Sequence, residues 1–414
     1  MRKYVFIVPS IANMGGAQMY IRNKVLWLRQ HGWEVDVIVS QGGVAKLSEL
    51  QEFNYAVPES AFDIYNYSDR RKKRVIDRFV QKIASTRTED TVIESTCTSE
   101  STWAEAVASR IGAKHISFLL QEYNALSNTG TRNFFLFKHK RKELFGITNT
   151  SLSAMFETFH PIAKEESYRL PAYCNNVEAD VDSPYIKQSK DAVCDYRIGL
   201  LSRLEKSFVI PAIKDLCQFA KNHHDKKFLL LLMGNAPKGS GVLSQIQDYI
   251  SEQTTNVFVI ATGYIYPVPT KLLEECDAFF TSAGSSWACM RSGVPTITYD
   301  GNDNRPIGIL GRTTNNTLFR GENEPPQDFS KLMDEILIEK KYPKEGPNYR
   351  QGLPDFSDHM KALEETAPEK EYFDVESIKP ETRTDIKLKW ALSIIGPENY
   401  LRLGSLKEKW TKRT

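Results

Sequence analysis

Short apolar runs alternate with stretches of helical periodicity along most of the chain. An apolar run at 4–8 precedes a Gly-rich turn, and residues 18–31 then carry apolar side chains at helical spacing before Gly32. The next apolar run, at 35–40, completes a strand–helix–strand unit. Because such units build parallel sheets, the pattern predicts an α/β fold that binds ligands at the carboxyl ends of its strands.

The same alternation occurs in both halves of the chain. A second series of strand–helix units begins at 196–201, after a polar stretch at 161–191 that contains three prolines. We therefore expect two doubly wound Rossmann-like domains facing a cleft, at 1–165 and 193–340, joined by a linker at 166–192.

The last part of the chain, 341–414, has a different character. It is polar and proline-rich until an amphipathic pattern at 384–395, which predicts a helix. We expect this C-terminal extension to pack its helix back toward the N-terminal domain.

Candidate chemistry is concentrated in the segment 277–300, DAFFTSAGSSWACMRSGVPTITYD. A buried strand is followed by a turn of small residues that includes Gly284, Ser285 and Ser286, and then by a short helical pattern at 287–292. A helix start at the carboxyl end of a strand offers unpaired N–H groups and a positive dipole end, which favour phosphate. These three residues are candidate phosphate ligands, and a simple tight turn with an N-cap is the alternative.

Composition narrows the class of protein. The 414 residues carry a net charge of +2, which gives no argument for a nucleic-acid partner. The six cysteines are dispersed without metal-ligand spacing, so we expect a reducing compartment and no metal site.

No apolar stretch reaches membrane-spanning length. We expect a cytoplasmic protein that is at most peripheral, at the inner face of a membrane.

Two basic runs lie in the first half, RRKKR at 70–74 and KHKRK at 138–142. The second follows Phe134, Phe135, Leu136 and Phe137, so aromatic side chains adjoin cations. This composition suits an anionic membrane surface. A solvated helix face over a core is the alternative.

Four segments resemble glycosyltransferases of the GT-B fold, most like family four. The N-terminal GGAQMYIRNKVLWLRQHGWEVDVIVS resembles their opening, and IGLLSRLEKSFVIPAIKDL resembles the start of their second domain. NVFVIATGYIYPVPTKLLEECDAFF and ACMRSGVPTI are similar to the two segments that follow, the latter to EAMACGxPVV. Together they cover most of 1–311 in the family's order.

The resemblance implies transfer of a sugar from a nucleotide-diphosphate sugar to a glycan or lipid-linked acceptor, in assembly of a surface polysaccharide or similar glycan. It further implies a retaining reaction without metal or cofactor, the nucleotide sugar being a co-substrate. Stabilisation of the leaving diphosphate is then electrostatic.

The resemblance also implies roles for particular residues. Arg203 and Lys206 would hold the diphosphate, with Asn235 facing the same cleft. Gly15 and Gly16 would let the backbone approach the pyrophosphate or the acceptor closely. Glu122, which follows the fourth strand in Gln-Glu-Tyr-Asn, would act as general base on an acceptor hydroxyl or orient it.

The chain departs from the family at its donor side. Two glutamates that contact donor sugar and ribose are missing, since the segment is shortened to SAGSSW and Ala288 stands at the second position. Arg203 and Lys206 are also closer together than in the family. Two alternative functions therefore stay open. One is a non-catalytic nucleotide-sugar-binding or partner subunit. The other is a nucleotide-sugar epimerase, which needs carboxylates at the sugar, whereas the segment 277–300 has none between its ends.

Overall fold

The computed structural model describes residues 2–83, 90–120, 126–147, 152, 155–156, 168–174, 176–236, 239–350 and 352–403. The chain divides into two compact units. Unit 1 comprises Met1–Cys174 and Leu353–Thr414, and unit 2 comprises Asn175–Gly352. The chain therefore crosses from unit 1 to unit 2 and returns.

Strands and helices alternate through most of the described residues. The strands are β1 (Lys3–Val8), β2 (Glu34–Val39), β3 (Thr91–Ser95), β4 (Lys114–Leu119), β5 (Leu144–Gly146), β6 (Glu178–Ala179), β7 (Tyr196–Leu201), β8 (Phe228–Met233), β9 (Val257–Gly263), β10 (Val268–Pro269), β11 (Ala278–Thr281), β12 (Thr296–Tyr299) and β13 (Pro306–Ile309). The α-helices are α1 (Gly16–Gln30), α2 (Asp69–Ile83), α3 (Thr98–Ile111), α4 (Thr129–Lys140), α5 (Pro184–Asp191), α6 (Val209–Asn222), α7 (Val242–Gln253), α8 (Thr270–Glu274), α9 (Gly284–Arg291), α10 (Phe329–Met333), α11 (Ser357–Glu364) and α12 (Arg383–Ile395).

Unit 1 is built on a five-stranded parallel sheet with the order β2-β1-β3-β4-β5. Every residue of β1, KYVFIV, is buried. This continuous burial is typical of a parallel strand covered on both faces. The strand order reverses between β1 and β3, so the carboxyl ends of these two strands form the topological switch point of the sheet.

Unit 2 is built on a six-stranded sheet with the order β13-β12-β11-β7-β8-β9. Among its described strands only β13 is antiparallel, against β12. In β8, Leu230 and Leu232 join one apolar cluster while Leu229 and Leu231 join another, so both faces of the sheet are covered. Here the switch point lies between β7 and β11. The α/β class and the two doubly wound sheets that the sequence predicts are confirmed.

The expected linker at 166–192 contains two elements of unit 2. Strand β6 pairs with β10, and α5 begins after Ser183, whose side chain accepts the Tyr185 N–H at 3.4 Å. The helix has only eight residues and buries Ile186 and Ser189, so its apolar pattern is too weak for periodicity to indicate a helix.

The C-terminal extension returns to unit 1 beyond residue 352. In α11, the His359 Nδ1 atom lies 3.2 Å from the Nζ atom of buried Lys24, which pairs with Glu94 at 2.6 Å. Burial and Lys24 lower the pKa of His359 to about 2, so the ring is neutral and its Nε2–H donates to the Pro171 carbonyl at 2.8 Å. These contacts attach the extension to the sheet of unit 1.

Helix α12 begins with a capping box, in which Thr382 and Asp385 bond reciprocally to each other's backbone. Its Leu392 side chain is buried in the core of unit 1. No helix among the described residues has both the length and the apolar composition needed to cross a bilayer.

Candidate functional site

The switch point of unit 2 brings two of the sequence-predicted segments to one edge of the sheet. Strands β7 and β11 are parallel neighbours, with Ala278 opposite Ile198. At their carboxyl ends the Thr281 hydroxyl donates to the Leu201 carbonyl at 2.8 Å. The loop that carries Arg203 and the loop that leads into α9 therefore start side by side, where doubly wound sheets bind their ligands.

The turn before α9 is held in a conformation that non-glycine residues rarely adopt. Ala283 has φ 61° and ψ −140°, a backbone state that costs about 1–3 kcal/mol. Its N–H donates to the Thr317 carbonyl at 2.6 Å, and the Ser282 hydroxyl donates to the Tyr299 carbonyl at 3.0 Å. The surrounding bonds impose the turn, and the turn sets the direction of the first N–H groups of α9.

The start of α9 has the properties of an anion site. The Ser286 N–H bonds to the Ala283 carbonyl at 3.1 Å, whereas the N–H groups of Gly284 and Ser285 have no acceptor in the described part of the chain. The Ser286 hydroxyl oxygen is fully buried and also has no partner among the described residues. With no acidic residue in the first turn, the positive end of the helix dipole is uncompensated and favours an anion.

The β7 loop supplies positive charge at the same edge. The Arg203 guanidinium is half exposed and lies 3.2 Å from the Glu205 carboxylate. The Lys206 ammonium lies 6.0 Å from the centre of the Phe208 ring. Ser202 follows β7 directly and precedes Arg203 and Lys206 in the sequence. Its buried hydroxyl has no hydrogen-bond partner in the described chain. A second unpaired hydroxyl thus lies at the carboxyl end of the strand that adjoins β11.

Asn235 supports the Arg203 loop from the end of β8. Its carbonyl accepts the Leu204 N–H at 3.1 Å, and its side-chain oxygen accepts the Ala236 N–H at 2.9 Å. The neighbouring Gly234 has φ 151°, and a Cβ atom there would lie 1.7 Å from the Ser202 carbonyl oxygen. The side chain of Asn235 is thus used in its own turn, and its backbone fixes the loop that carries Arg203.

Tyr264 places an aromatic ring at this edge of the sheet. It is not among the candidate residues that the sequence indicated. It follows β9 and is 40% exposed. Its pKa is raised by partial burial and by the Glu205 carboxylate, and Arg203 opposes the shift. These effects place its hydroxyl within electrostatic reach of the β7 loop. The Gly-Tyr turn at 263–264 is the sequence signal for it.

In unit 1, Gly15 and Gly16 lie after β1 at the switch point, where α1 begins. Gly15 has an extended backbone, with φ −171°, which any residue adopts. A Cβ atom on Gly16 would lie 3.5 Å from the Cys174 Cβ atom, an ordinary contact. Neither backbone conformation requires a glycine. A functional role for Gly15 or Gly16 would instead depend on a ligand that approaches the backbone where a side chain would otherwise lie.

Glu122 and its neighbours at 121–125 lie outside the described residues. The switch point of unit 1 nevertheless contains a carboxyl group that sequence reasoning missed. Glu100, in the first turn of α3, is buried and accepts the Ser40 hydroxyl at 2.5 Å. Burial raises its pKa to about 7. Its position in the first turn of a helix does not distinguish it in the sequence from a surface glutamate.

The basic run at 138–142 does not form the expected membrane surface. Phe134 and Phe135 are fully buried, and the Lys138 ammonium pairs with the Glu143 and Glu105 carboxylates at 2.7 and 3.1 Å. The same Glu105 lies 2.7 Å from His115 Nδ1. The aromatic side chains belong to the core and the central lysine to a buried ion cluster, so this segment is a helix face over a core.

No protein-family model and no curated protein sequence matches this chain. Solved structures do match it. HepE of Anabaena, solved in complex with UDP-glucose, has a TM-score of 0.55 and 14% identity over 95% of this chain and 100% of its own. A glycosyltransferase of Rickettsia africae has a TM-score of 0.56 and 12% identity over 81% and 88%.

The chain has their GT-B fold. The N-terminal domain of trehalose-6-phosphate phosphatase of Candida albicans shares it, with a TM-score of 0.54 and 9% identity over 95% of this chain and 97% of that one. At these identities the likeness establishes the fold, and chemistry has to be argued from the site.

Proposed function

We propose that this protein is a glycosyltransferase that moves a sugar from a nucleotide-diphosphate sugar to a glycan or lipid-linked acceptor. One observation carries the proposal. The loop that carries Arg203 and Lys206 starts beside the loop that carries the unpaired N–H groups of Gly284 and Ser285 and the unpaired buried hydroxyl of Ser286. The backbone and hydroxyl donors of this set lack an acceptor among the described residues, on a fold shared with an enzyme solved with UDP-glucose.

A diphosphate supplies the acceptors that these donors lack. Its oxygens would accept from the α9 N–H groups, and Arg203 would hold them through its planar fork. The same donors would stabilise the negative charge that develops on the leaving nucleoside diphosphate during sugar transfer. The exposed ring of Tyr264 offers a flat surface on which a base can stack. We expect UDP or GDP as the nucleotide.

The acceptor side is assigned to unit 1. Glu122 follows β4 and would take the proton from an acceptor hydroxyl or orient it. Glu122→Gln keeps the shape of the side chain and removes its charge, so sugar transfer should fall about 10²-fold while nucleotide binding stays intact. Full activity of the Gln variant would remove Glu122 from the mechanism.

We further propose a metal-independent and retaining reaction in surface polysaccharide assembly, at the inner face of the membrane. Activity that survives EDTA and a product with the donor's anomeric configuration would support both points. Loss of activity in EDTA that Mg²⁺ or Mn²⁺ restores would contradict metal independence. An inverted product would contradict retention.

A specific observation favours a second candidate, a non-catalytic nucleotide-sugar-binding subunit. Helix α9, GSSWACMR, contains no carboxylate, and Ala288 is fully buried. The donor site therefore lacks an acidic side chain on this helix to contact the sugar. A screen of nucleotide sugars by thermal shift and by hydrolysis separates the two candidates. Stabilisation with slow turnover supports the transferase, and stabilisation without turnover of any donor, alone or with acceptor extracts, supports the binding subunit.

A further inference from the structure

Helix α12 exposes large apolar side chains on one face. Ile386, Trp390 and Ile394 are 56%, 69% and 60% exposed. They follow one another at intervals of four residues, so they form a single stripe along the helix. On the opposite side Leu388 and Leu392 pack against the core of unit 1. Isolated exposed apolar residues are ordinary, but a contiguous stripe indicates an interaction surface.

Positive charge surrounds this stripe. Helical spacing places Arg383 and Lys387 along one side of it and Lys389 on the other. None of the three forms an ion pair with a carboxylate among the described residues. Burial lowers the pKa of Lys389, the nearby charges of Lys72 and Lys379 lower it further, and the Asp69 carboxylate opposes them. Lys389 thus has more cations than anions beside it, a situation that a bound anion relieves.

The charges decide which partner fits the stripe. A second copy of the chain docked through the same face would bring its own Arg383, Lys387 and Lys389 against these cations. An anionic bilayer instead attracts them, at a surface where a tryptophan ring and isoleucine side chains enter the boundary between headgroups and acyl chains. The combination of an apolar stripe and flanking cations therefore fits a lipid surface.

We propose that the exposed face of α12, with Arg383, Lys387 and Lys389, docks unit 1 on an anionic membrane. The proposal rests on this face and does not depend on the proposed sugar transfer. It replaces the segment at 134–142, in which Phe134, Phe135 and Lys138 are buried.

The position of α12 gives the docking a consequence for unit 1. The helix packs against the turn at 64–66, and the Ile64 N–H donates to the Thr102 hydroxyl of α3 at 3.3 Å. Helix α3 begins at the carboxyl end of β3, at the switch point of the sheet. Docking through α12 would therefore bring the bilayer to the side of unit 1 that carries the turn at 64–66, which contacts α3.

Co-sedimentation of the full-length protein with vesicles tests the proposal. We expect binding to vesicles that contain both phosphatidylcholine and anionic phosphatidylglycerol, and little binding to phosphatidylcholine alone. Lys387→Glu with Lys389→Glu should lower the partition coefficient at least tenfold. Trp390→Ser with Ile394→Ser should lower it by a similar factor. All four positions are at least partly exposed, so thermal unfolding should stay unchanged.

Lys140→Glu with Lys142→Glu is the matched control, because both lysines are exposed and belong to the other basic run. This variant should bind vesicles like the unchanged protein. The proposal is overturned if the unchanged protein does not bind anionic vesicles, or if the control loses binding and the α12 variants keep it. Sedimentation equilibrium supplies a further test: a dimer that Trp390→Ser dissociates, without vesicle binding, would assign the stripe to a second copy.

Discussion

The hydroxyl of Thr281 donates to the carbonyl of Leu201 at 2.8 Å, across the switch point of the second sheet. Both residues end their strands, and both are buried. The bond therefore fixes the distance between the loop that carries Arg203 and the turn that starts α9. The donors of the candidate diphosphate site come from these two loops.

Replacing Thr281 by Val should loosen this connection. Valine keeps the shape of the side chain and leaves the buried Leu201 carbonyl without this donor, which costs about 1–3 kcal/mol of unfolding free energy. Urea unfolding measures the loss. Thr281→Ser retains the hydroxyl and should recover most of the difference. A Val variant as stable as the unchanged protein would show that the bond contributes nothing.

Replacing Ser286 by Ala should weaken nucleotide binding without lowering the free energy of unfolding. The Ser286 hydroxyl is buried without a partner in the described structure, so its removal should leave the unfolding free energy unchanged or raise it by up to about 2 kcal/mol. If the hydroxyl donates to a diphosphate, nucleotide affinity should fall two- to tenfold. This factor corresponds to the loss of about 0.5–1.5 kcal/mol of binding free energy, the usual contribution of one hydrogen bond. Thermal unfolding and calorimetry with UDP or GDP measure the two effects.

Ser292, at the end of the same helix, provides the matched control. Its hydroxyl donates to the Cys289 carbonyl at 2.6 Å and is buried. Ser292→Ala should therefore lose stability and keep nucleotide affinity, the reverse of the Ser286 result. A Ser286→Ala variant that loses stability and keeps affinity would make its hydroxyl a structural group.

Glu100 should make the stability of unit 1 depend on pH. Burial raises its pKa from 4.5 to about 7. Between these values the folded state binds more protons than the unfolded state, so this carboxyl lowers the unfolding free energy as pH rises through the window. The total effect is about 3 kcal/mol, at 1.36 kcal/mol per pKa unit.

Glu100→Gln tests this, because glutamine is neutral at every pH. The stability of the unchanged protein, measured relative to the Gln variant by urea unfolding, should fall between pH 4.5 and pH 8. Asp63, whose pKa is raised to about 6 nearby, is present in both proteins and largely cancels in the difference. A constant difference across the range would contradict a raised pKa at Glu100.

The sequence predicted most of the fold because burial of parallel strands leaves a strong signal. The apolar run FLLLLM and the repeated strand–helix units are local features of the sequence. The switch point between β7 and β11 follows instead from the order of the strands in the sheet.

Two of the errors concern contacts between residues far apart in sequence, and a third concerns a helix with a weak local pattern. Lys138 resembles a surface cation until Glu105, 33 residues earlier, is placed beside it. Glu100 is unremarkable in sequence, and its raised pKa comes from burial after β2 and β3 pair with β1. The short helix α5 buries too few apolar side chains to show a period.

Calorimetric titration with UDP and GDP tests the central claim most directly, that the switch point of unit 2 binds a nucleoside diphosphate. Arg203→Ala should weaken binding about 10- to 150-fold, the effect of losing about 1.5–3 kcal/mol from a hydrogen bond to a charged group. Arg312→Ala is the control, because Arg312 follows the antiparallel β13 at the opposite edge of the same sheet, where it pairs with Glu345. The account predicts that the Arg312 variant binds like the unchanged protein. Equal affinity of the Arg203 variant, or no binding of either nucleotide to the unchanged protein, would contradict it.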